Sequence, residues 1–248
     1  MKASLPIRHG LALLCFLVVT CVLMAPVAPD PGTIAIGHPG NDVWNHVWGY
    51  WWVAQELVQG RLPLHTGYLR WPAGGTLWFI DSFGALLATP ITLLWGPVAA
   101  YNAVLAFDLW LCGAAAYLLA WSVTRHLGGS FVAGIAFMTM PHLLGQAYNG
   151  ISETLAAGWL PLAVFALREA TRHPTLGRGV GAGLAVGVAF LANWYYGLFA
   201  VMVGVALLLR SGVRVLRHNR SRGGFWTLLR SPPGLSPYRS ALVGQLRG

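Results

Sequence analysis

Charge is what this chain has least of. Asp, Glu, Lys and Arg make up 9% of its 248 residues, against about a quarter in a soluble domain. Cysteine is nearly as rare. Cys15, Cys21 and Cys112 are the three, each inside an apolar run, where they read as small core residues and not as a disulfide frame or a metal site. No CxxC, HExxH, Walker or GxSxG pattern occurs, so the common soluble-enzyme chemistries find no support. There is no internal repeat and no low-complexity tract.

What is present is apolar: 56% hydrophobic residues and a mean hydropathy of +0.60. Long runs of such residues make this an all-α, polytopic membrane protein, expected to fold as one helical bundle. The net charge of +9 does not point to nucleic acid. Eight of the sixteen Lys and Arg lie after residue 209, and most others flank apolar segments. That distribution fits lipid headgroups and retention on the cytoplasmic side better than a duplex groove.

Residues 1–209 therefore read as a polytopic membrane domain, and 210–248 as a basic, poorly ordered cytoplasmic tail carrying one apolar patch, Phe225 to Leu229. The first apolar segment, Leu11 to Ala28, has charged Lys2 and Arg8 before it but a poor cleavage site, so it is expected to remain as a span. Residues 29–100 form a long outer loop rich in Pro, Gly and Trp. It holds seven of the twelve tryptophans, including Trp78, as an interface-hugging segment needs. It also holds Asp30, Asp42, Glu56 and Asp81, but only two cations, Arg61 and Arg70.

About six spans are expected, near 11–28, 101–121, 131–147, 155–167, 180–192 and 197–209. This arrangement keeps the dense basic loops, the N-terminus and the tail in the cytoplasm. The rival arrangement has 83–98 crossing and 180–209 as a single span. Thirty apolar residues in one helix would reach about 45 Å, too long for a hydrocarbon core of about 30 Å. A pair of short spans meeting at Asn193-Trp194-Tyr195-Tyr196-Gly197 is preferred. Gly179, Gly183 and Gly187 form a small-residue stripe suited to close helix approach.

The stretch Gly37 to Leu57, GHPGNDVWNHVWGYWWVAQEL, organises the rest. As a helix beginning near Asp42, it gathers Trp44, Val47, Trp48, Trp51 and Val58 on one side, and Asp42, Asn45, His46, Gly49 and Glu56 on the other. Such a helix suits a membrane surface, its polar face looking into a water-filled cleft. Asp42 reads either as a catalytic carboxylate or as a plain helix cap. His46 reads as a partnered interfacial histidine or a metal ligand. Glu153 is a solvated loop acid or a ligand to a divalent ion. Arg61 and Arg70 either snorkel to headgroups or bind phosphate, and Tyr195 and Tyr196 are belt aromatics or substrate contacts. Asp108 sits inside a span, where an acid is costly unless paired or wet.

In the order of these elements the chain resembles the GT-C superfamily of membrane glycosyltransferases. A first span precedes a loop opening on an acid and aromatics (GND42VWNHVWGYWW). A Pro-Gly stretch (YLRWPAGGTL) and a long segment leading into a span (FGALLATPITLLWGPVAAYNAVL) follow. A second acid in YNGISET comes before GWLPLAVFALR, and a short apolar pair broken at NWYYGLF follows. The likeness covers roughly residues 5 to 210.

The resemblance implies transfer of a sugar from a polyprenyl-phosphate donor to an acceptor at the non-cytoplasmic face of a bacterial inner membrane. It implies that Asp42 stands at the first-loop catalytic acid and Glu153 at a second acid organising the acceptor or a divalent metal ion. His46, Arg61, Arg70, Tyr195 and Tyr196 become candidate substrate contacts. A second expectation, of another class, is a non-catalytic membrane subunit or lipid-binding scaffold that needs a partner membrane chain.

Overall fold

The computed structural model describes residues 5–77 and 81–221, with side chains described as far as 213. The expectations for Lys2, Trp78 and the tail beyond Ser221 lie outside the described residues. The described chain divides into a unit ending at Gly204 and another beginning at Val205. All the elements but the last helix, which runs from the first unit into the second, lie in the first.

The hub is α5 (Pro97–Thr124). It begins at Gly96, whose φ of 89° lets the chain turn sharply, and Pro97 supplies a pre-set first helical residue. It ends when Arg125 adopts a left-handed conformation at φ 56°. Its 28 residues reach about 42 Å. Around it pack α1 (Leu5–Leu23), α2 (Val43–Val58), α4 (Thr89–Trp95), α6 (Leu127–Met138), α8 (Ser152–Leu155) and α9 (Trp159–Arg172).

Phe16 of α1 is fully buried between α5 and α6. It fits because Gly113 and Gly134 face it: a Cβ would come within 3.0 Å of Phe16 Cγ at the first and 2.5 Å of its Cζ at the second. Farther along, His9 hydrogen-bonds Tyr117 of α5. Of the cysteines, Cys112 is buried as expected and donates to the Leu155 carbonyl at 3.3 Å. Cys15 and Cys21 are exposed on α1, which corrects their assignment to the core. In α1 only Ala12, Phe16 and Thr20 are buried, and Cys15 and Cys21 fall outside that stripe.

Among the described residues four stretches are long and apolar enough to cross a membrane: Leu5–Leu23, Pro97–Thr124, Leu127–Asn149 and Trp194–Val213. Two more helices lie on the expected spans but are shorter, α9 with 14 residues and α10 (Leu176–Ala192) with 17. The third stretch is broken. Met140 is extended before Pro141, which starts α7 (Pro141–Asn149) without an N–H to offer the previous turn.

The segment 83–98 forms α3 (Ser82–Leu87) and α4, of six and seven residues, each too short to cross. The apolar run 180–209 does break at Asn193, between α10 and α11 (Trp194–Ser221). Helix α11 continues past Arg210, where the sequence suggested the tail begins. The glycine stripe is corrected: a Cβ at Gly179, Gly183 or Gly187 would meet nothing within 4 Å. Ala182, Ala189 and Ala192 are the buried positions of α10 instead. Among the described residues the only strand pairing is β1 (His65–Thr66) with β2 (Gly75–Thr76), antiparallel.

Candidate functional site

Helix α2 begins at Val43, with Asp42 at the capping position as its sequence suggests. The carboxylate, however, makes no cap hydrogen bond and is exposed, so the cap-only reading falls. From there Val43, His46, Val47, Tyr50, Val53 and Ala54 recur at helical spacing and are all buried. Trp44 is exposed, while Trp48 and Trp51 are half-buried. His46, Gly49 and Glu56 are buried too, which corrects the expectation that they look into a water-filled cleft. A polar face can turn inward when its groups find partners there, and His46 does.

The partners come from two other segments. Asp81, just before α3, accepts a hydrogen bond at Oδ2 from the Tyr50 hydroxyl at 2.6 Å and another from the Ser152 hydroxyl at 2.7 Å. Ser152 Oγ also lies 3.1 Å from His46 Nδ1. A serine hydroxyl has one proton, and here it goes to Asp81, so the ring supplies the proton for the Nδ1 contact. On the opposite side His46 Nε2 lies 3.0 Å from Glu153 Oε2, an ion-pair contact and not an aligned hydrogen bond. A polar chain thus runs Tyr50, Asp81, Ser152, His46, Glu153. Burial pushes the Asp81 carboxyl above its ordinary range, opposed by the Tyr50 and Ser152 donors and by His46. Burial, followed by the nearby Asp81 charge, holds the Tyr50 hydroxyl well above its own.

Glu153, His46 and Ser152 fall in the order acid, imidazole, hydroxyl. That order does not make Ser152 a nucleophile: its proton is committed to Asp81 and its exposure is 0%. The chain joins three segments of the fold.

The loop before α2 is tied to the end of α7 and to Gly150 just after it. The His38 amide donates to the Tyr148 carbonyl at 2.7 Å, and the Asn41 side chain donates to that of Asn149 at 3.0 Å. Gly150, at φ 76°, lies so close to Val43 that a Cβ there would come within 2.6 Å of the valine Cβ. From the opposite side, the Asn193 side chain donates to the Glu153 carbonyl at 3.1 Å and the Tyr196 hydroxyl to the Thr154 carbonyl at 2.7 Å.

Of the residues singled out from sequence, the fold therefore joins His46 directly to Glu153, and Tyr196 to the same short helix, α8. Asp42 opens the helix that carries His46. Arg61 is elsewhere engaged: its guanidinium donates to both Glu56 oxygens, at 2.7 and 2.8 Å. That pairing holds the Glu56 carboxyl below its ordinary range. Arg70 is exposed at φ 56° in the turn between β1 and β2 and forms no ion pair among the described residues. Tyr195 is 68% exposed, and its backbone amide donates to Asn193 Oδ1.

Tyr50, Ser152 and Asn193 were not foreseen, nor was the role of Asp81. Among the described residues no group of three or more His, Cys, Asp or Glu is arranged to hold a metal ion. Asp42 and Glu153 therefore do not form such a group as they stand. No family model, no curated protein and no solved structure matches the chain.

Proposed function

We propose that this chain is a membrane glycosyltransferase that moves a sugar from a polyprenyl-phosphate donor to an acceptor hydroxyl, with Asp42 as the base. The observation that carries the reading is the joining of the two acid-bearing segments. The loop ending at Asp42 is hydrogen-bonded to the end of α7, just before Ser152 and Glu153, and His46 of α2 contacts Glu153 itself. Asp42 is left exposed and free of any capping bond.

In the reaction the acceptor oxygen attacks the anomeric carbon while its proton passes to the Asp42 carboxylate. The bond from that carbon to the phosphate oxygen breaks, and its electron pair leaves with the polyprenyl phosphate. The growing charge on the phosphate needs a cation. Arg61 is neutralised by Glu56, so Arg70 is the arginine of the 29–100 segment free to serve. Glu153, held against His46, is a positioning residue for the Asp42 loop. The half-buried Tyr196 holds α8 through the Thr154 carbonyl, and exposed Tyr195 is the aromatic available to substrate. This reading sets Asp42 at the non-cytoplasmic face of a bacterial inner membrane, with the N-terminus and tail in the cytoplasm. It needs α9 and α10 to cross as short spans.

The experiment is transfer in vesicles reconstituted with the purified chain and a polyprenyl-phosphate sugar. Donor-dependent product from the chain alone is the expected result. The alternative, a non-catalytic subunit of a larger assembly, is favoured by one observation, the loss of Arg61 to an internal pair. Absence of turnover until a partner membrane chain is added would establish that alternative.

A further inference from the structure

A cavity of about 260 Å³ lies between α3, α4, α5 and the turn at 156–159. Its walls are apolar, with Phe83, Leu87, Ile91, Val104, Phe107 and Trp159 among them. Two carboxyl groups, Asp81 and Asp108, also line it, and among the described residues no Lys, Arg or His does. Both acids are buried, at 2% and 3% exposure. Asp108 has a donor in the Trp159 indole, but no cation beside it among the described residues.

Asp81 has an oxygen that the polar chain leaves unused. Tyr50 and Ser152 both donate to Oδ2. Oδ1 points toward Gly84, where a Cβ would come within 2.5 Å of it, and Gly84 is itself a wall of the cavity. Burying carboxyl groups in apolar surroundings is costly unless a counter-charge or donor accompanies them. Asp81, Asp108 and Glu153 share this interior with one imidazole, that of His46, which already lies between Ser152 and Glu153. The cavity side is therefore acidic and lacks a cation.

The mouth is apolar. Leu87 and Phe107 stand at it, 55% and 40% exposed. Phe107 belongs to one of the helices long enough to cross a membrane, so the mouth faces where hydrocarbon would lie. A polar head inside and an apolar path outward suit a single-chain amphiphile and not a soluble ligand.

We propose that this cavity binds a long-chain primary amine, its ammonium group bonded to Asp81 and Asp108 and its alkyl chain leaving past Leu87 and Phe107. An ammonium brings the missing charge and three donors for two carboxyl groups; an alcohol brings one donor and no charge. A quaternary ammonium has no N–H and cannot bond to either acid. The inference does not depend on sugar transfer.

The test uses the full chain in phosphatidylcholine nanodiscs and a dodecylamine carrying a diazirine near its nitrogen. Cross-links should concentrate on the peptides containing Leu87, Phe107 and Trp159. Unlabelled dodecylamine should compete better than dodecanol by about tenfold or more. Ala103→Trp, which fills the cavity from α5 without touching the polar chain, should abolish specific labelling. Asp108→Asn should weaken it by about tenfold while the thermal transition persists. Equal competition by dodecanol, full binding by Asp108→Asn, or cross-links spread over all exposed apolar faces would each overturn the proposal.

Discussion

His46 Nε2 and Glu153 Oε2 lie 3.0 Å apart, the imidazole carried near the start of α2 and the carboxyl on α8. Both side chains are largely buried, at 4% and 16% exposure, so removing one strands the other. Replacing either His46 or Glu153 by Gln is expected to cost about 3 kcal/mol of stability. The double variant should cost less than the two singles added, with a coupling of about 1 kcal/mol or more. Denaturant unfolding in micelles reads this, and full additivity would show that the contact carries no energy.

The Asp81 carboxyl gives a pH dependence of definite sign. Burial raises it in the folded state above its ordinary 3.8, so the folded protein holds that proton more tightly than the unfolded chain. The associated stabilisation is complete below 3.8 and is lost as pH rises through the higher folded value. Asp81→Asn cannot titrate but still accepts from Tyr50 and Ser152 through its carbonyl. Its unfolding free energy should therefore vary less with pH over that window than that of the wild type. Equal slopes would remove Asp81 from the account of stability.

Gly150→Ala tests the clasp between the loop before α2 and the end of α7. The added methyl would meet Val43 at 2.6 Å from a residue at φ 76°, two penalties at one site. A cost of about 2–4 kcal/mol is expected, with loss of transfer at temperatures where the protein stays folded. Gly145→Ala is the control, since a Cβ there meets nothing within 4 Å. Equal effects of the two changes would contradict the clasp.

The two arginines should separate kinetically. Arg61 shares its charge with Glu56, whereas Arg70 has no ion pair among the described residues. Arg70→Ala is expected to raise the donor KM or lower kcat by about tenfold or more, and Arg61→Ala by much less. The Arg61 change should leave the unfolding midpoint close to that of the wild type, since its side chain is 55% exposed and its pair with Glu56 is screened by solvent. A larger kinetic loss at Arg61 would reverse the assignment.

The membrane class and the break at Asn193 were legible because composition, run length and a local Asn-Trp cluster carry them. Helix α2 was legible for the same kind of reason, its start marked by Asn41-Asp42. Which of its faces turns inward was not. Periodicity groups His46 with Gly49 and Glu56, but only the arrival of Ser152 and Asp81 from remote segments makes that face burial-competent. Asp81 stood out as one of few acids, yet no spacing in the sequence links it to Tyr50 or Ser152. The division of 131–147 is carried by one residue, Pro141, whose missing N–H ends the helix before it despite the apolar run around it. The glycine stripe of α10 misled because small residues permit close packing without requiring a neighbour.

The central claim is that the exposed carboxylate of Asp42 takes the acceptor proton, and Asp42→Asn tests it most directly. The amide keeps the shape and, since the native side chain makes no cap bond, should leave folding and vesicle insertion unchanged. Transfer from a polyprenyl-phosphate sugar is expected to fall by about 10²–10⁴-fold at unchanged protein content. Turnover equal to that of the wild type would contradict the claim.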